Sequence, residues 1–208
     1  LYGGFPEVVL EGSPSYKVQK LHEYFRAIMY RDIVEVRRIR NTVLLEVLTK
    51  LLLNSTFFSV KKLYNTLRSL GYSASTRTII EYKRAIEDAY LIKQVEIFSY
   101  KVKDKLQYQK KLYCVDHGLR RAISVAYREN IGRALENAVY VELLRRINPF
   151  VEINYWKSRN GYEVDFVLTE NFHPIDLFQV TYELDESYER EERAIIKALK
   201  ELKLKTGY

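Results

Sequence analysis

Cysteine is almost absent from this sequence, since Cys114 is its only example. A disulfide framework and a cysteine-rich zinc site are therefore excluded, and the three histidines lie far apart in the chain. There is also no run of eighteen apolar residues, and no basic segment is followed by an apolar one near the start. These absences predict a protein of the cytoplasm that has no membrane partner.

Charge is unevenly distributed along the 208 residues, and the net charge is +7. Residues 31–131 hold 20 basic and 10 acidic side chains, whereas residues 132–208 hold 11 and 14. A domain with such an excess of lysine and arginine attracts polyanions, and nucleic acid is the commonest polyanion inside cells. DNA is therefore the partner that the composition favours. The charged, solvated surface of a heat-adapted protein is the alternative explanation.

The length of the chain favours two compact units, and the first half of the sequence has mainly helical patterns. Gly3–Pro6 and Gly12–Pro14 indicate an irregular start. Apolar spacing then predicts helices over 18–31, 42–53, 60–70 and 75–90, with N-caps at Ser59 and at Ser73 or Ser75. Two predicted strands follow at 91–100 and 107–115, separated by a charged turn over 101–105. This order of helices and hairpin predicts a winged helix.

The helix over 75–90 takes the place of the recognition helix in that arrangement. Its apolar residues Ile79, Ile80, Ile86 and Tyr90 are expected to pack inward. The residues expected to contact DNA are Thr76, Arg77, Lys83 and Arg84 on the helix and Lys101, Lys103 and Lys105 at the tip of the hairpin. The alternative is a winged helix that contacts proteins.

The second half of the chain is predicted to place three strands between two helices. The helices are expected over 132–146 and 185–202, and the strands over 151–156, 162–168 and 175–182. The predicted fold class is thus α+β for the first, winged-helix part and α/β for the second. Glu136 from the first helix, Asp165 from the second strand and Gln179 from the third are expected to meet. Their oxygens are of the kind that Mg²⁺ prefers as ligands.

Several motifs of the chain are shared with a known family. They are Tyr2-Gly-Gly-Phe-Pro-Glu, Tyr30-Arg-Asp-Ile, Gly132-Arg-Ala-Leu-Glu-Asn-Ala-Val-Tyr-Val-Glu-Leu, Tyr155-Trp-Lys and Gly161-Tyr-Glu-Val-Asp-Phe-Val-Leu. On these residues the chain resembles the C-terminal region of prokaryotic, especially archaeal, P-loop AAA-like ATPases. In that family a winged helix is followed by a domain similar to the PD-(D/E)XK nucleases.

The resemblance implies a division of the chain into three parts. Residues 1–40 would be a linker and helix that follow a missing ATPase domain, residues 41–116 a winged helix, and residues 117–208 a nuclease-like domain truncated at its C-terminus. ATP would bind to the missing domain, because no Gly-x-x-x-x-Gly-Lys-Ser/Thr motif occurs in this sequence.

The resemblance also implies roles for individual residues. Glu136 and Asp165 match the acids of the nuclease family, while Gln179 stands in place of a third acid and Thr181 in place of the lysine. In an active enzyme the acids hold Mg²⁺, and the lysine orients water and stabilises charge on the phosphate. An amide and a hydroxyl at these two positions favour a degenerate nuclease fold.

An active site would need substitutes for the two missing groups. Lys157 is the nearest lysine and would be the catalytic one, and Glu183 shares a strand face with Gln179 if the strand continues that far. The function we predict is DNA binding and regulation by the C-terminal part of a P-loop ATPase, with no cofactor of its own. The alternatives are a Mg²⁺-dependent DNA endonuclease, and a module that contacts its own N-terminal ATPase domain or other copies of the chain in a homo-oligomer.

Overall fold

The chain folds into two compact units. The computed structural model describes residues 2–123, 131–182 and 188–208. Unit 1 is Leu1–Gln94 with Leu112–Arg128, and unit 2 is Val95–Lys111 with Glu129–Tyr208. The first part is mainly helical and the second contains most of a mixed sheet, which confirms the mixed α+β class. The predicted division at residues 40 and 116 stays a prediction.

Most elements lie close to their predicted positions. The helices are α1 Pro6–Leu10, α2 Pro14–Ala27, α3 Thr42–Leu53, α4 Val60–Ser69, α5 Thr76–Asp88, α6 Val102–Gln107, α7 His117–Ile123, α8 Ile131–Arg146 and α9 Tyr188–Leu202, with a π-helical segment Ile28–Glu35 after α2. The strands are β1 Phe57–Phe58, β2 Ile92–Ile97, β3 Lys110–Cys114, β4 Val151–Lys157, β5 Glu163–Glu170 and β6 His173–Phe178. Across the three described ranges, no helix is long and apolar enough to cross a membrane.

The irregular segments predicted at Gly3–Pro6 and Gly12–Pro14 are confirmed except at their prolines, and a short helix that was not predicted lies between them. Pro6 begins α1 and Pro14 begins α2, so the second helix starts four residues earlier than predicted. Proline is compatible with the first helical position because the amide it lacks would have no partner there. The prolines therefore mark where helices begin in this part of the chain.

Side-chain caps fix the ends of the central helices of unit 1. The Asn41 side chain accepts a hydrogen bond from Leu44 N at 3.0 Å at the start of α3. Ser59 Oγ accepts from Lys62 N at 3.3 Å, and Ser75 Oγ accepts from Thr78 N at 3.0 Å. These contacts confirm the cap predicted at Ser59 and select Ser75 over Ser73. Each such cap contributes about 1 kcal/mol to helix stability.

The face that α5 buries differs from the predicted one. Lys83 is only 6% exposed, because it follows Ile79 by one helical turn and shares its buried side. Its ammonium lies 2.6 Å from Glu87 Oε2 and 5.3 Å from the centre of the Phe58 ring. Ile80 is exposed, and Tyr90 lies beyond the helix with a positive φ and is also exposed. The predicted exposure of Lys83 and the predicted burial of Ile80 and Tyr90 are therefore wrong.

The connection between β2 and β3 is longer and more ordered than the charged turn predicted there. The segment 101–105 contributes most of α6, so β2 stops three residues earlier and β3 starts three residues later than expected. Ser99 stabilises the start of this helix, because its hydroxyl donates to Asp104 Oδ2 at 2.7 Å and accepts from Lys101 N at 3.1 Å. Two hydrogen bonds at the entry explain why a charged segment becomes helical here.

In unit 2 the C-terminal half of β2 and the strands β4, β5 and β6 are ordered β2-β4-β5-β6. β2 and β4 are parallel, with Ile97 opposite Tyr155, whereas β5 is antiparallel to both β4 and β6. One face of this sheet packs against α9 through Trp156, Val164, Leu177 and Ala198, all of which are buried. The sheet is therefore covered by a helix on the face that bears this apolar cluster.

β6 ends at Phe178, four residues before the predicted end of the third strand. Gln179 and Thr181 thus lie beyond the strand on which they were expected. The C-terminal residue takes over the pairing, since Gln179 N donates to Tyr208 O at 2.8 Å and Tyr208 N donates to Leu177 O at 2.9 Å. The start of the final helix predicted at 185 and the side chain of Glu183 lie outside the described residues.

Asp116 anchors the glycine-rich start of the chain within unit 1. Its carboxylate accepts from Gly4 N and from Gly118 N, each at 2.7 Å, and from Leu119 N at 3.3 Å. Gly3 has a φ of +83°, and a Cβ built on it would lie 2.0 Å from Asp116 Oδ1. Glycine is therefore required at this position both by the backbone conformation and by the space available.

Gly3→Ala is expected to lower the free energy of unfolding by more than about 2 kcal/mol, because strain and a steric clash add. Urea unfolding followed by circular dichroism measures the change. Gly12→Ala is the matched control, since a Cβ at Gly12 meets nothing within 4 Å. It should change the stability by less than about 0.5 kcal/mol. Equal effects of the two substitutions would contradict the role given to Asp116.

Candidate functional site

Four charged side chains of unit 2 meet at one point beside the sheet. Lys111 comes from β3, Glu136 from α8, and Glu163 and Asp165 from β5. Alternate residues of a strand share a face, so Glu163 and Asp165 point to the same side while Val164 and Phe166 are buried on the other. We call this group the Lys111 cluster.

The Lys111 ammonium contacts all three carboxylates of the cluster. Its Nζ lies 2.8 Å from Asp165 Oδ1, 2.9 Å from Glu163 Oε1 and 3.2 Å from Glu136 Oε1. Only 3% of the Lys111 side chain is exposed. An ammonium has three N–H donors, and the three carboxylates provide an acceptor for each of them. The buried charge is therefore both neutralised and hydrogen-bonded.

A second layer of contacts orients Asp165. Its Oδ2 accepts from Val180 N at 3.0 Å, and its own amide donates to Gln179 Oε1 at 3.0 Å. Gln179 Nε2 donates in turn to Glu191 Oε2. The amide of Gln179 thus uses its oxygen and its nitrogen to connect β5 to α9, which a carboxylate at this position would not do.

Three carboxylates and one ammonium leave the Lys111 cluster with a formal charge of −2. Burial raises the pKa of Asp165 to about 6, with Glu136 adding to the rise and Lys111 opposing it. Burial also acts to raise the pKa of Glu163, but Lys111 and Lys157 hold it below its ordinary value. Burial acts to lower the pKa of Lys111, and the carboxylates more than compensate, so that it stays protonated. Asp165 is therefore the member of the cluster whose negative charge is disfavoured by its surroundings.

A cavity of about 280 Å³ opens beside the cluster and exposes part of it to solvent. Its lining includes Glu163, Asp165 and Gln179 together with the basic residues Lys157 and Arg190. Lys157 Nζ lies 3.1 Å from Glu163 Oε2, and about a third of the Lys157 side chain is exposed. Positive groups therefore border the carboxylates on the open side as well as on the buried side.

The structure brings together most of the residues predicted for a catalytic site. Glu136 and Asp165 share Lys111, Gln179 contacts the backbone of Asp165, and Lys157 contacts Glu163. Sequence reasoning missed Lys111, because a lysine in a hairpin next to a charged turn has the pattern of an exposed residue. The buried neighbours Leu112 and Tyr113 were the available indication that this strand is enclosed.

The arrangement does not fit a magnesium site. Each carboxylate of the cluster gives an oxygen to the Lys111 ammonium, which occupies the position between them. Gln179 turns its oxygen to a backbone amide. Within the described ranges, no group of three or more His, Cys, Asp or Glu residues is arranged to hold a metal. The cation of this cluster is an ammonium supplied by the chain itself.

The residues predicted to contact DNA have different exposures. Thr76, Arg77 and Arg84 are exposed on α5 of unit 1, and Arg77 Nε donates to Glu81 Oε1 at 2.8 Å. Lys101 and Lys103 are exposed at the start of α6 in unit 2, and Lys105 is half-buried with its ammonium 5.4 Å from the centre of the Phe172 ring. Lys83 alone among the seven is buried.

Lys111→Met is expected to destabilise the protein by about 3 kcal/mol near neutral pH, because it leaves three partly buried carboxylates without their partner. The missing positive charge raises the carboxylate pKa values in the folded state above those of the unfolded chain. The folded state then binds more protons, so the stability of the variant rises as the pH falls. The loss of unfolding free energy relative to wild type should therefore be smaller at about pH 5 than at about pH 7.5. Urea unfolding at the two pH values measures this difference.

Lys110→Met is the matched control for this experiment. Lys110 pairs with Glu96, and both side chains are more than a third exposed, so its loss should cost less than about 1 kcal/mol. Similar losses in the two variants would show that the Lys111 contacts contribute little. A loss of stability in Lys111→Met that does not depend on pH would show that the three carboxylates are not the main partners of Lys111.

Comparisons with known proteins place this chain among uncharacterised relatives. It is 42% identical over 209 residues to an uncharacterized protein of Methanocaldococcus jannaschii, which covers 98% of this chain and 45% of that protein. It is 31% identical over 188 residues to an uncharacterized protein of Haemophilus influenzae, which covers 89% of this chain and 46% of that protein. The chain thus spans about half the length of these relatives. No solved structure gives a significant match.

Two family profiles cover the chain end to end. Residues 131–208 match the Domain of unknown function DUF4143. Residues 1–130, more than half of the chain, match the Domain of unknown function DUF8612. The chain therefore belongs to the DUF8612 family.

Proposed function

We propose that this chain is the DNA-contacting C-terminal portion of a AAA-type ATPase, and that its nuclease-like part is a non-catalytic scaffold. DUF4143 occurs in C-terminal regions associated with AAA ATPases. The chain covers only 45% and 46% of its two relatives, which leaves room in such proteins for a further domain. The ATPase domain, ATP as its ligand, a cytoplasmic location and a homo-oligomer belong to this proposal.

The exposed basic residues of α5 carry the proposal of DNA binding. Arg77 and Arg84 are exposed on a helix whose N-terminus presents Ser75 and Thr76 to solvent. Guanidinium groups and hydroxyls on the first turns of a helix suit phosphates and the edges of bases in the major groove. The order α3, α4, α5, β2 and β3 is also the order that a winged helix requires. α5 would therefore serve as the recognition helix.

The buried position of Lys83 changes the expected DNA interface. Its ammonium is committed to Glu87 and covers the Phe58 ring, so it contributes to the packing of α5. The contact residues on this helix reduce to Thr76, Arg77 and Arg84. Lys101, Lys103 and Lys105 remain candidates for contacts made by unit 2, where they lie on α6 or next to it.

The Lys111 cluster supports the non-catalytic part of the proposal. Phosphodiester hydrolysis with magnesium requires carboxylate oxygens that are free to bind the metal and positions left open for water and phosphate. Here the carboxylates bind an ammonium that is almost fully buried, and displacing it would leave a lysine without a partner in the interior. Glu136, Asp165 and Gln179 would then stabilise the fold and hold no cofactor.

The Arg77→Ala/Arg84→Ala double variant is expected to bind duplex DNA roughly tenfold or more weakly than wild type, because two charged contacts are lost. The slope of log K against log salt should also become shallower by about 0.9 for each lost phosphate contact. Binding of labelled duplex DNA across a salt series, followed by fluorescence anisotropy, measures both quantities. A cleavage assay with magnesium and with manganese is run on the same samples.

Arg145→Ala/Arg146→Ala is the matched control, because it removes the same charge from exposed residues of α8 in unit 2. It should leave the affinity nearly unchanged. Equal weakening by both double variants would show that only net charge matters, and absence of duplex binding at any salt would favour the protein-contact module. Metal-dependent cleavage that is lost in Asp165→Ala would show that the nuclease-like part is catalytic and is not a scaffold.

A further inference from the structure

Unit 2 contains a groove that the proposed function does not use. It has a volume of about 590 Å³ and lies where β2 and β4 end, next to α6 and the C-terminal half of α9. β2 and β4 are parallel neighbours, so their carboxyl ends open to the same side of the sheet. Crevices at the carboxyl ends of parallel strands are the usual ligand sites of open α/β sheets. The volume is also within the range of small-ligand pockets.

Aromatic rings line the groove at two depths. Phe98 and Trp156 are buried in the lining of the groove, whereas Tyr100 is 71% exposed. The Tyr100 ring packs edge-on against Phe98, with centroids 5.0 Å apart and an interplanar angle of 78°. This contact places an exposed aromatic ring beside the groove. Tyr108 adds a second, partly exposed ring to the lining.

Basic side chains outnumber acidic ones around these rings. The basic residues of the lining are Lys101, Lys157, Arg159 and Lys197, and the acidic ones are Asp104 and Glu201. Lys157 is paired with Glu163, and Lys197 lies over the Tyr162 ring. Within the three described ranges, Lys101 and Arg159 form no ion pair, and both are exposed. Their charges are therefore available to an anionic ligand.

We propose that this groove binds single-stranded nucleic acid, with a base stacked on Tyr100 and backbone phosphates at Lys101 and Arg159. A cationic groove with exposed aromatic rings is the combination that single strands require, since every base offers a face for stacking. A duplex keeps its bases stacked on one another and cannot use Tyr100. An acidic peptide would use the cations and leave the ring without a partner. The site lies in unit 2 and does not depend on α5.

The position of Lys157 gives the groove a second property. Lys157 lines both this groove and the cavity at the Lys111 cluster. A single-stranded nucleic acid that lies along the groove would therefore reach the edge of the carboxylates, where Arg190 adds a further positive charge. Lys157 would then contact the nucleic acid at this edge while remaining paired with Glu163.

The test measures the affinity of the whole chain for labelled oligothymidine and oligouridine by fluorescence anisotropy. Tyr100→Leu is expected to weaken binding roughly 5- to 150-fold, the range for loss of one stacked base. Tyr100→Phe keeps the ring and should stay within about twofold of wild type. Arg159→Gln should flatten the slope of log K against log salt by about 0.7, the value for one phosphate of a single strand.

Two controls separate this site from α5 and from general effects of tyrosine loss. Tyr90→Leu removes a tyrosine of similar exposure from unit 1 and should leave single-strand binding unchanged. Arg77→Ala/Arg84→Ala should weaken duplex binding and leave oligothymidine binding unchanged, so the two proposals can fail independently. A preference for oligothymidine or for oligouridine would assign the groove to DNA or to RNA.

Four results would overturn the inference. The first is that the wild type binds no oligonucleotide, and the second is that Tyr100→Phe and Tyr100→Leu weaken binding equally. The third is that polyglutamate competes as effectively as an oligonucleotide does. The fourth is that a duplex binds more tightly than a single strand and that its binding is equally sensitive to Tyr100→Leu. The second result would show that the hydroxyl and not the ring makes the contact. The third would show that charge alone decides the binding, and the last would show that Tyr100 contacts a duplex and does not stack on an unpaired base.

Discussion

The structure of unit 2 depends on one buried ammonium. Lys111 joins β3 to α8 and β5 through three carboxylates, which compensate the removal of its charge from water. Burial raises the pKa of Asp165, and Val180 N and the side chain of Gln179 hold this residue in place. Lys111 lowers the pKa of both Asp165 and Glu163, so loss of this lysine alters the protonation of both carboxyls.

The same interaction decides which functions the site favours. A lysine that binds all three acids uses the oxygens that a hard divalent cation would need, so the cluster supports the fold, and the nucleic-acid contacts that we propose are assigned to other surfaces. Two such surfaces are proposed, and they differ in chemistry. α5 presents Arg77 and Arg84 in unit 1, where a duplex groove is the proposed partner, whereas Tyr100 is proposed to offer a stacking face in unit 2. Together they suit a protein that contacts both paired and unpaired nucleic acid.

Local patterns predicted the helices and strands well where packing and capping agree with the sequence. Ser59 precedes an apolar repeat, and Glu163 and Asp165 alternate with buried residues, so a cap and a strand face could both be inferred. The predicted exposure of Lys83 is wrong, because its helical spacing from Ile79 places this basic residue on the buried face of α5. Lys111 could not be predicted at all as a partner of residues 25 to 54 positions away. Such contacts depend on how strands are ordered in the sheet, which local patterns do not encode.

The most direct test of the account is to observe the Lys111 ammonium itself. Nitrogen-15 NMR of lysine side chains, assigned with Lys111→Arg, detects ammonium groups that are protected from exchange with water. We expect a strongly protected ammonium near neutral pH that is absent in Lys111→Arg and so is distinguished from the buried Lys83, and we expect it to be unchanged when magnesium is added to about millimolar levels. Saturable displacement of this signal by magnesium would contradict the account. It would show that the carboxylates release the lysine and bind the metal.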